Sequence, residues 1–198
     1  IGRQSVNISD PKLTELLVDN FGDFEQYASE LAGYDACYYC MGISAAGLDE
    51  ETYNKITHEY ALNLANALFK LNPESTFIYV SGEGTDSTEQ GRMMWARVKG
   101  KTENDLLAMG FKQAFMYRPG MIIPLKGIKS RTKLYQFMYD YFMWLVKLVK
   151  LISPNSVVNT TQIGQSMIQI THNGYDKSIV YPRDIIILAE QADSSLPG

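Results

Sequence analysis

Two periods of apolar residues alternate along the chain: short continuous runs, and longer segments with helical spacing. Residues 13–18 form a short apolar run that ends at Asp19. Residues 23–31 carry apolar positions at helical spacing, and Gly33 closes them as a C-cap glycine does. Residues 34–41 read as a strand that leads into a loop of small residues, 42–47. Residues 49–71 predict one long helix. Its first turn, Asp49, Glu50 and Glu51, suits the helix dipole, and Ala61, Leu64, Ala65 and Leu68 form its packing face. A strand over 76–80 runs into Ser81-Gly82-Glu83-Gly84, a helix follows over 89–109, and a strand over 111–117 stops at Arg118-Pro119-Gly120. The repeated strand–helix–strand order predicts an α/β fold, a doubly wound parallel sheet with helices on both faces. Such sheets bind ligands beyond the carboxyl ends of their strands, the edge to which loops 42–47, 81–88 and 118–124 belong.

After Gly120 the pattern changes. A loop rich in Gly, Pro and Lys leads into a helix predicted over 130–152. Its apolar positions fall in two adjacent stripes, led by Phe137, Tyr141 and Trp144 in one and Met138, Phe142 and Leu145 in the other. A face that wide is buried against something: the core or a lid over a substrate pocket, a homodimer partner, or a membrane surface. The helix is too charged for a membrane span. A helix over 160–171 ended by Asn173-Gly174, a short strand over 178–181 and a last helix from Pro182 complete the pattern. The expected division is a nucleotide-binding core over 1–120 and a small, mostly helical substrate or lid region over 121–198, whose strand near 177–181 returns to the sheet.

Composition narrows the function classes. The 198 residues are 45% hydrophobic and 20% charged, enough for one domain with a real core. The net charge of -4 and the absence of a basic face argue against a nucleic-acid partner. Acidic residues outnumber basic ones up to Arg118, and the balance reverses after it. The basic run Lys126, Lys129, Arg131 and Lys133 could receive an anionic ligand or be a solvated loop. The chain opens without a charged stretch and apolar h-region, so a cytoplasmic protein is expected. Cys37 and Cys40 form a C-x-x-C, but in a strand residues three apart point to opposite faces. Buried, reduced core cysteines are therefore expected rather than a disulfide. Neither His58 nor His172 has a second ligand at metal spacing, so no metal site is expected.

Three motifs in order carry a resemblance. They are Val80-Ser81-Gly82, then Trp95-Ala96-Arg97-Val98-Lys99-Gly100-Lys101-Thr102-Glu103, then Arg118-Pro119-Gly120. Together they resemble the extended and atypical short-chain dehydrogenase/reductases, epimerase-like proteins with an NAD(P)-binding Rossmann fold. The branch related to NmrA and to the reductase called TIP-thirty is the most similar. The resemblance runs from about Gly2 to Asp184. It implies that Ser81 holds a substrate oxygen and that Lys99 binds the cofactor ribose and lowers the pKa of a catalytic tyrosine one turn away. Trp95 stands at that tyrosine's place. An indole N–H is a donor that does not titrate near neutrality, and none of the 13 tyrosines is followed by lysine four residues on. Three readings stay open: another acid serves, with Asp86 or Glu83 as candidates; the protein binds cofactor without turnover; or the local alignment is displaced.

The same resemblance assigns cofactor contacts. Arg3 would pair with the 2′-phosphate of NADP, favouring NADP over NAD, because a planar guanidinium suits a phosphate. Asp19 would border the adenine, Gly42, Ile43 and Ser44 would lie under its ribose, and Arg118, Pro119 and Gly120 would flank the nicotinamide. The glycine-rich fingerprint that holds the pyrophosphate at a helix N-terminus has no counterpart, since Gly82-Glu83-Gly84 belongs to the catalytic strand. The expectation is an N-terminally incomplete Rossmann domain whose first strand–helix unit precedes Ile1. The expected function is that of an oxidoreductase or epimerase-like enzyme on a small carbonyl or sugar-type substrate. A non-catalytic NAD(P)H-binding sensor is the alternative.

Overall fold

The computed structural model describes residues 1–123 and 156–195. The helix expected over 130–152 and the basic run from Lys126 to Lys133 lie outside them.

The local chemistry of the chain builds six helices among these residues. α1 is Ala28–Leu31, entered through a 3-10 turn at Glu25–Tyr27. α2 is Glu50–Asn54, capped by Asp49, whose carboxylate accepts the Thr52 N–H at 2.8 Å. A π-helical segment, Lys55–Glu59, carries α2 into α3, Tyr60–Leu71. The long helix expected from the sequence is therefore present, with one π turn inside it. α4 is Met94–Ala108. α5, Thr160–Asn173, opens on a capping box in which Asn159 and Gln162 each accept the other's backbone N–H. α6 is Pro182–Ser195.

The strands are β1, Ala36–Tyr39; β2, Thr76–Val80; β3, Gln113–Tyr117; β4, Met121–Ile123; β5, Val157–Asn159; and β6, Ile179–Val180. A four-stranded parallel sheet runs in the order β1-β2-β3-β6. The short strand near residue 180 does return to it, with Met116 opposite Ile179 and Tyr117 opposite Val180. β4 and β5 form a separate parallel pair that the sequence pattern did not reveal. The architecture is a Rossmann-like α/β fold.

The chain divides into two compact units, the first of residues 1–37, 41–77 and 86–112 and the second of residues 38–40, 78–85 and the described residues from 113 on, a division that does not fall at residue 120. In the first, aromatic rings fill the core: Phe111 stacks on Phe77 at 5.2 Å and meets Phe69 edge-on at 5.1 Å. Ala61, Leu64 and Ala65 are buried on α3, as their spacing predicts. In the second, Ile78, Phe115 and Tyr117 of the sheet pack with Met167 and Ile170 of α5 and Ile185 and Leu188 of α6. Each such side chain contributes roughly 1.5–3 kcal/mol on burial.

Two expectations need correction. The helix expected from residue 89 begins at Met94, because Asp86 captures the backbone N–H groups of Thr88 and Gly91 and Glu89 adopts a positive φ of 61°. The cysteines form no disulfide and are not core residues, Cys37 being half-buried and Cys40 exposed. β1 ends the strand order, and it is Tyr39 that points into the core, against Tyr79 at 5.8 Å. Among the described residues no helix is long and apolar enough to cross a membrane, and no group of side chains could hold a metal ion.

A buried polar knot anchors α6. The Asp184 carboxylate, 5% exposed, accepts from Tyr175 Oη at 2.8 Å, Lys177 Nζ at 2.7 Å and the Tyr181 N–H at 3.1 Å. Burial alone would raise its pKa, but these three donors outweigh burial and hold it below the usual aspartate value. A depressed folded-state pKa means stability that is complete above the unfolded value of 3.8 and lost as pH falls through the folded one. Asp184→Asn should lower stability at neutral pH by about 2 kcal/mol. It should also flatten the acid limb of a thermal-midpoint-versus-pH curve, measured by circular dichroism.

Candidate functional site

Backbone hydrogen bonds carry the pairing of β2 and β3 past the ends of both strands. The Ser81 N–H donates to Tyr117 O at 2.8 Å, and the Glu83 N–H donates to Pro119 O at 3.0 Å. They frame an open cavity of about 520 Å³ in the second unit, lined by Ser81, Gly82, Glu83, Pro119, Gly120 and Ile122 among others. It lies beyond the carboxyl ends of the strands, where parallel sheets bind ligands. The Ser81 hydroxyl also donates to Tyr117 O, at 3.0 Å. That carbonyl keeps the Ser81 amide if the hydroxyl rotates toward a ligand, so rotation leaves no buried carbonyl unpaired.

Gly120 is required by close approach. A Cβ there would lie 2.6 Å from a carboxylate oxygen of Glu83 and 2.6 Å from the Ser156 carbonyl. Arg118 behaves differently from its two neighbours. It is 5% exposed, and its guanidinium donates to Tyr181 Oη at 3.3 Å and lies 5.8 Å from the centre of that ring. Of the Arg-Pro-Gly turn, Pro119 and Gly120 line the cavity and Arg118 braces the protein interior.

In the first unit, Gly2 and Leu17 form a parallel bridge: the Gly2 N–H donates to Leu16 O at 3.0 Å and the Val18 N–H to Gly2 O at 2.9 Å. Arg3 and Asp19 follow these paired positions, and both line a pocket of about 220 Å³ with Met41, Gly42, Ile43 and Tyr60. Gly42 has no atom within 4 Å of where its Cβ would stand, and its φ is not positive. The chain's own packing therefore gives no reason for a glycine, and the space it leaves fits a ligand approaching the backbone. Ser44 is not among those lining residues; its hydroxyl accepts the Ala46 N–H at 3.3 Å. Met41 and Tyr60 were not singled out by sequence, because apolar strand-end and helix positions read as ordinary core.

α4 carries Trp95 and Lys99 one turn apart, both half-buried. Burial holds the Lys99 ammonium below the ordinary lysine range, and the buried Glu103 carboxylate a turn further on opposes that shift. The helix is fixed from several sides. His58 Nε2 meets Asp105 Oδ2 at 2.6 Å, and Arg97 meets Glu50 at 2.7 Å. The Asp86 N–H donates to Ala96 O at 3.1 Å. Ser81 belongs to the second unit, and Arg3, Asp19, Trp95 and Lys99 belong to the first.

Comparison with known proteins finds distant relatives. No family model matches the chain. Protein FMP52, mitochondrial, of Saccharomyces cerevisiae is 34% identical over 90 residues, covering 46% of this chain and 36% of that protein. Protein HTATIP2 of Rattus norvegicus is 23% identical over 126 residues, covering 62% of this chain and 50% of that protein. The chain spans half or less of the length of these relatives. The crystal structure of gox2253 superimposes with a TM-score of 0.59 over 90% of this chain and 62% of that one, at 14% identity, and it shows the fold alone.

Gly100 offers a direct check on this geometry. A Cβ there would fall 1.8 Å from the Asp86 carbonyl oxygen, which is backbone and cannot swing away. In an exposed helix Gly→Ala gains about 1 kcal/mol; here overpacking should win. Gly100→Ala is expected to destabilise the protein by about 2 kcal/mol or more in urea unfolding.

Proposed function

We propose that the chain forms part of an NAD(P)-binding, short-chain-dehydrogenase-like protein acting as an oxidoreductase or epimerase-like enzyme on a small carbonyl or sugar-type substrate. The observation that carries this reading is the cavity at the ends of β2 and β3, where Ser81, Pro119 and Gly120 line one space. The first unit's pocket supports it independently, with Arg3 and Asp19 at its rim and unfilled room above Gly42. In this reading Arg3, Asp19, Gly42 and Ile43 hold the adenosine end of the cofactor. The resemblance further assigns Lys99 to a ribose, and Pro119 and Gly120 to the flanks of the nicotinamide. When bound, the nicotinamide supplies hydride chemistry, while Ser81 orients the substrate oxygen. Arg3 favours NADP, since a guanidinium binds a 2′-phosphate in a planar, two-point fashion.

A second reading, a non-catalytic NAD(P)H-binding sensor, draws support from Trp95 at the tyrosine position. Fluorescence titration of the intact protein with NADPH and NADH tests the shared premise, and micromolar-range binding of at least one is expected. Lys99→Ala should weaken it about tenfold, and Arg3→Ala should weaken NADPH more than NADH. Absence of binding to either nucleotide would sink both readings. Oxidation of NADPH across a panel of aldehydes and ketones, abolished in Ser81→Ala, separates enzyme from sensor.

A further inference from the structure

With Trp95 at the tyrosine position, the group that moves a proton must be found elsewhere. Two carboxylates occupy the loop after Ser81, and their surroundings differ. Asp86 Oδ1 accepts from Thr88 Oγ1 at 2.6 Å and from the Thr88 N–H at 3.0 Å, and Oδ2 accepts from the Gly91 N–H at 2.6 Å. These bonds, that of the Thr88 hydroxyl foremost, hold its pKa below the usual aspartate value. An ionised carboxylate with both oxygens engaged is a clip for the loop, not a proton donor.

Glu83 is exposed and has a different setting. Its backbone is pinned by the bond to Pro119 O, and one of its carboxylate oxygens lies against Gly120, close enough that any Cβ there would displace it. It lines the same cavity as Ser81 and is the one charged residue among the described lining. We propose that Glu83 is the proton-transfer residue of the Ser81–Gly120 cavity, acting on the oxygen of a neutral carbonyl or hydroxyl substrate in place of a phenol. This rests on the cofactor reading above.

The step balances as follows. With a reduced nicotinamide bound, the carbonyl carbon would take its hydride, leaving the nicotinamide oxidised, while the C=O π pair moves onto oxygen. The protonated Glu83 carboxyl gives its proton to that oxygen, so C=O becomes CH–OH. Glu83 is left as carboxylate and regains a proton from water. Ser81 hydrogen-bonds the same oxygen. Once its proton has gone to the product Glu83 is a carboxylate, and the anionic product of a keto acid would meet a like charge beside it. Neutral hydroxyaldehydes and hydroxyketones are therefore the preferred class.

Glu83→Gln in the intact protein is the test, with Glu83→Asp as its conservative companion. Glu83→Gln should keep NADPH affinity within about twofold, lower kcat on a neutral hydroxyketone panel at least about 100-fold and remove one ionisation from the kcat–pH profile. Glu83→Asp should restore part of that rate. A second readout needs no turnover. In carboxyl-¹³C NMR, the resonance missing from Glu83→Gln should move when NADP and a small secondary alcohol are added. The proposal is overturned, with the cofactor reading left standing, in any of three cases: Glu83→Gln turns over normally, that resonance does not move, or wild type binds NADPH yet reduces nothing in the panel. Failure of wild type to bind NADPH or NADH overturns the cofactor reading and this proposal with it.

Discussion

The backbone bonds that continue strand pairing beyond Val80 and Tyr117 are the constraint on which the candidate site depends. Strand residues have their backbone groups satisfied within the sheet, but the loop that follows normally does not. Here Ser81 pairs with Tyr117 and Glu83 pairs with Pro119, so two loops leave the sheet in register. A buried amide that loses its partner costs about 1–3 kcal/mol, which is why the loops stay where the strands put them. The side chains of Ser81 and Glu83, and the bare face of Gly120, are then presented to one cavity by main-chain geometry and need little ordering of their own.

Polar groups elsewhere do comparable work in keeping elements in place. Asp86 closes its loop by accepting from Thr88 and Gly91, and the next turn of chain becomes α4 only after that. Gly100 lets the Asp86 carbonyl approach the helix, so the Val-Lys-Gly run has a packing reason for its glycine quite apart from any cofactor. Asp184 does for α6 what Asp86 does for α4, with Lys177 and Tyr175 as donors. Arg118 is recruited into that neighbourhood through Tyr181, which moves a residue expected at the cofactor into the interior.

Much of the fold was legible because it follows from local rules. The strand over 76–80, the acidic helix start at Asp49, the helix starting at Thr160 and the stop at Asn173-Gly174 each depend on a few neighbouring residues. The candidate cavity was partly legible for the same reason, since Ser81, Pro119 and Gly120 sit where predicted strands end. The pairing of Met121–Ile123 with Val157–Asn159 was not, because two three-residue strands far apart in sequence carry no periodic signal. Nor was the exposure of Cys40, which depends on the order of strands rather than on the apolar run containing it.

The sequence by itself determined the alternation of strands and helices, their parallel arrangement and the loops at the carboxyl ends of the strands, because hydrophobic period and capping are local properties. It also places an indole, Trp95, four residues before Lys99. Only the tertiary structure decided which of two nearby carboxylates is taken up by its own loop. Asp86 and Glu83 lie three residues apart and read alike in sequence. One is consumed by hydrogen bonds that close its own loop, and the other is carried by the Pro119 contact against Gly120, a meeting of chain segments that no local pattern encodes.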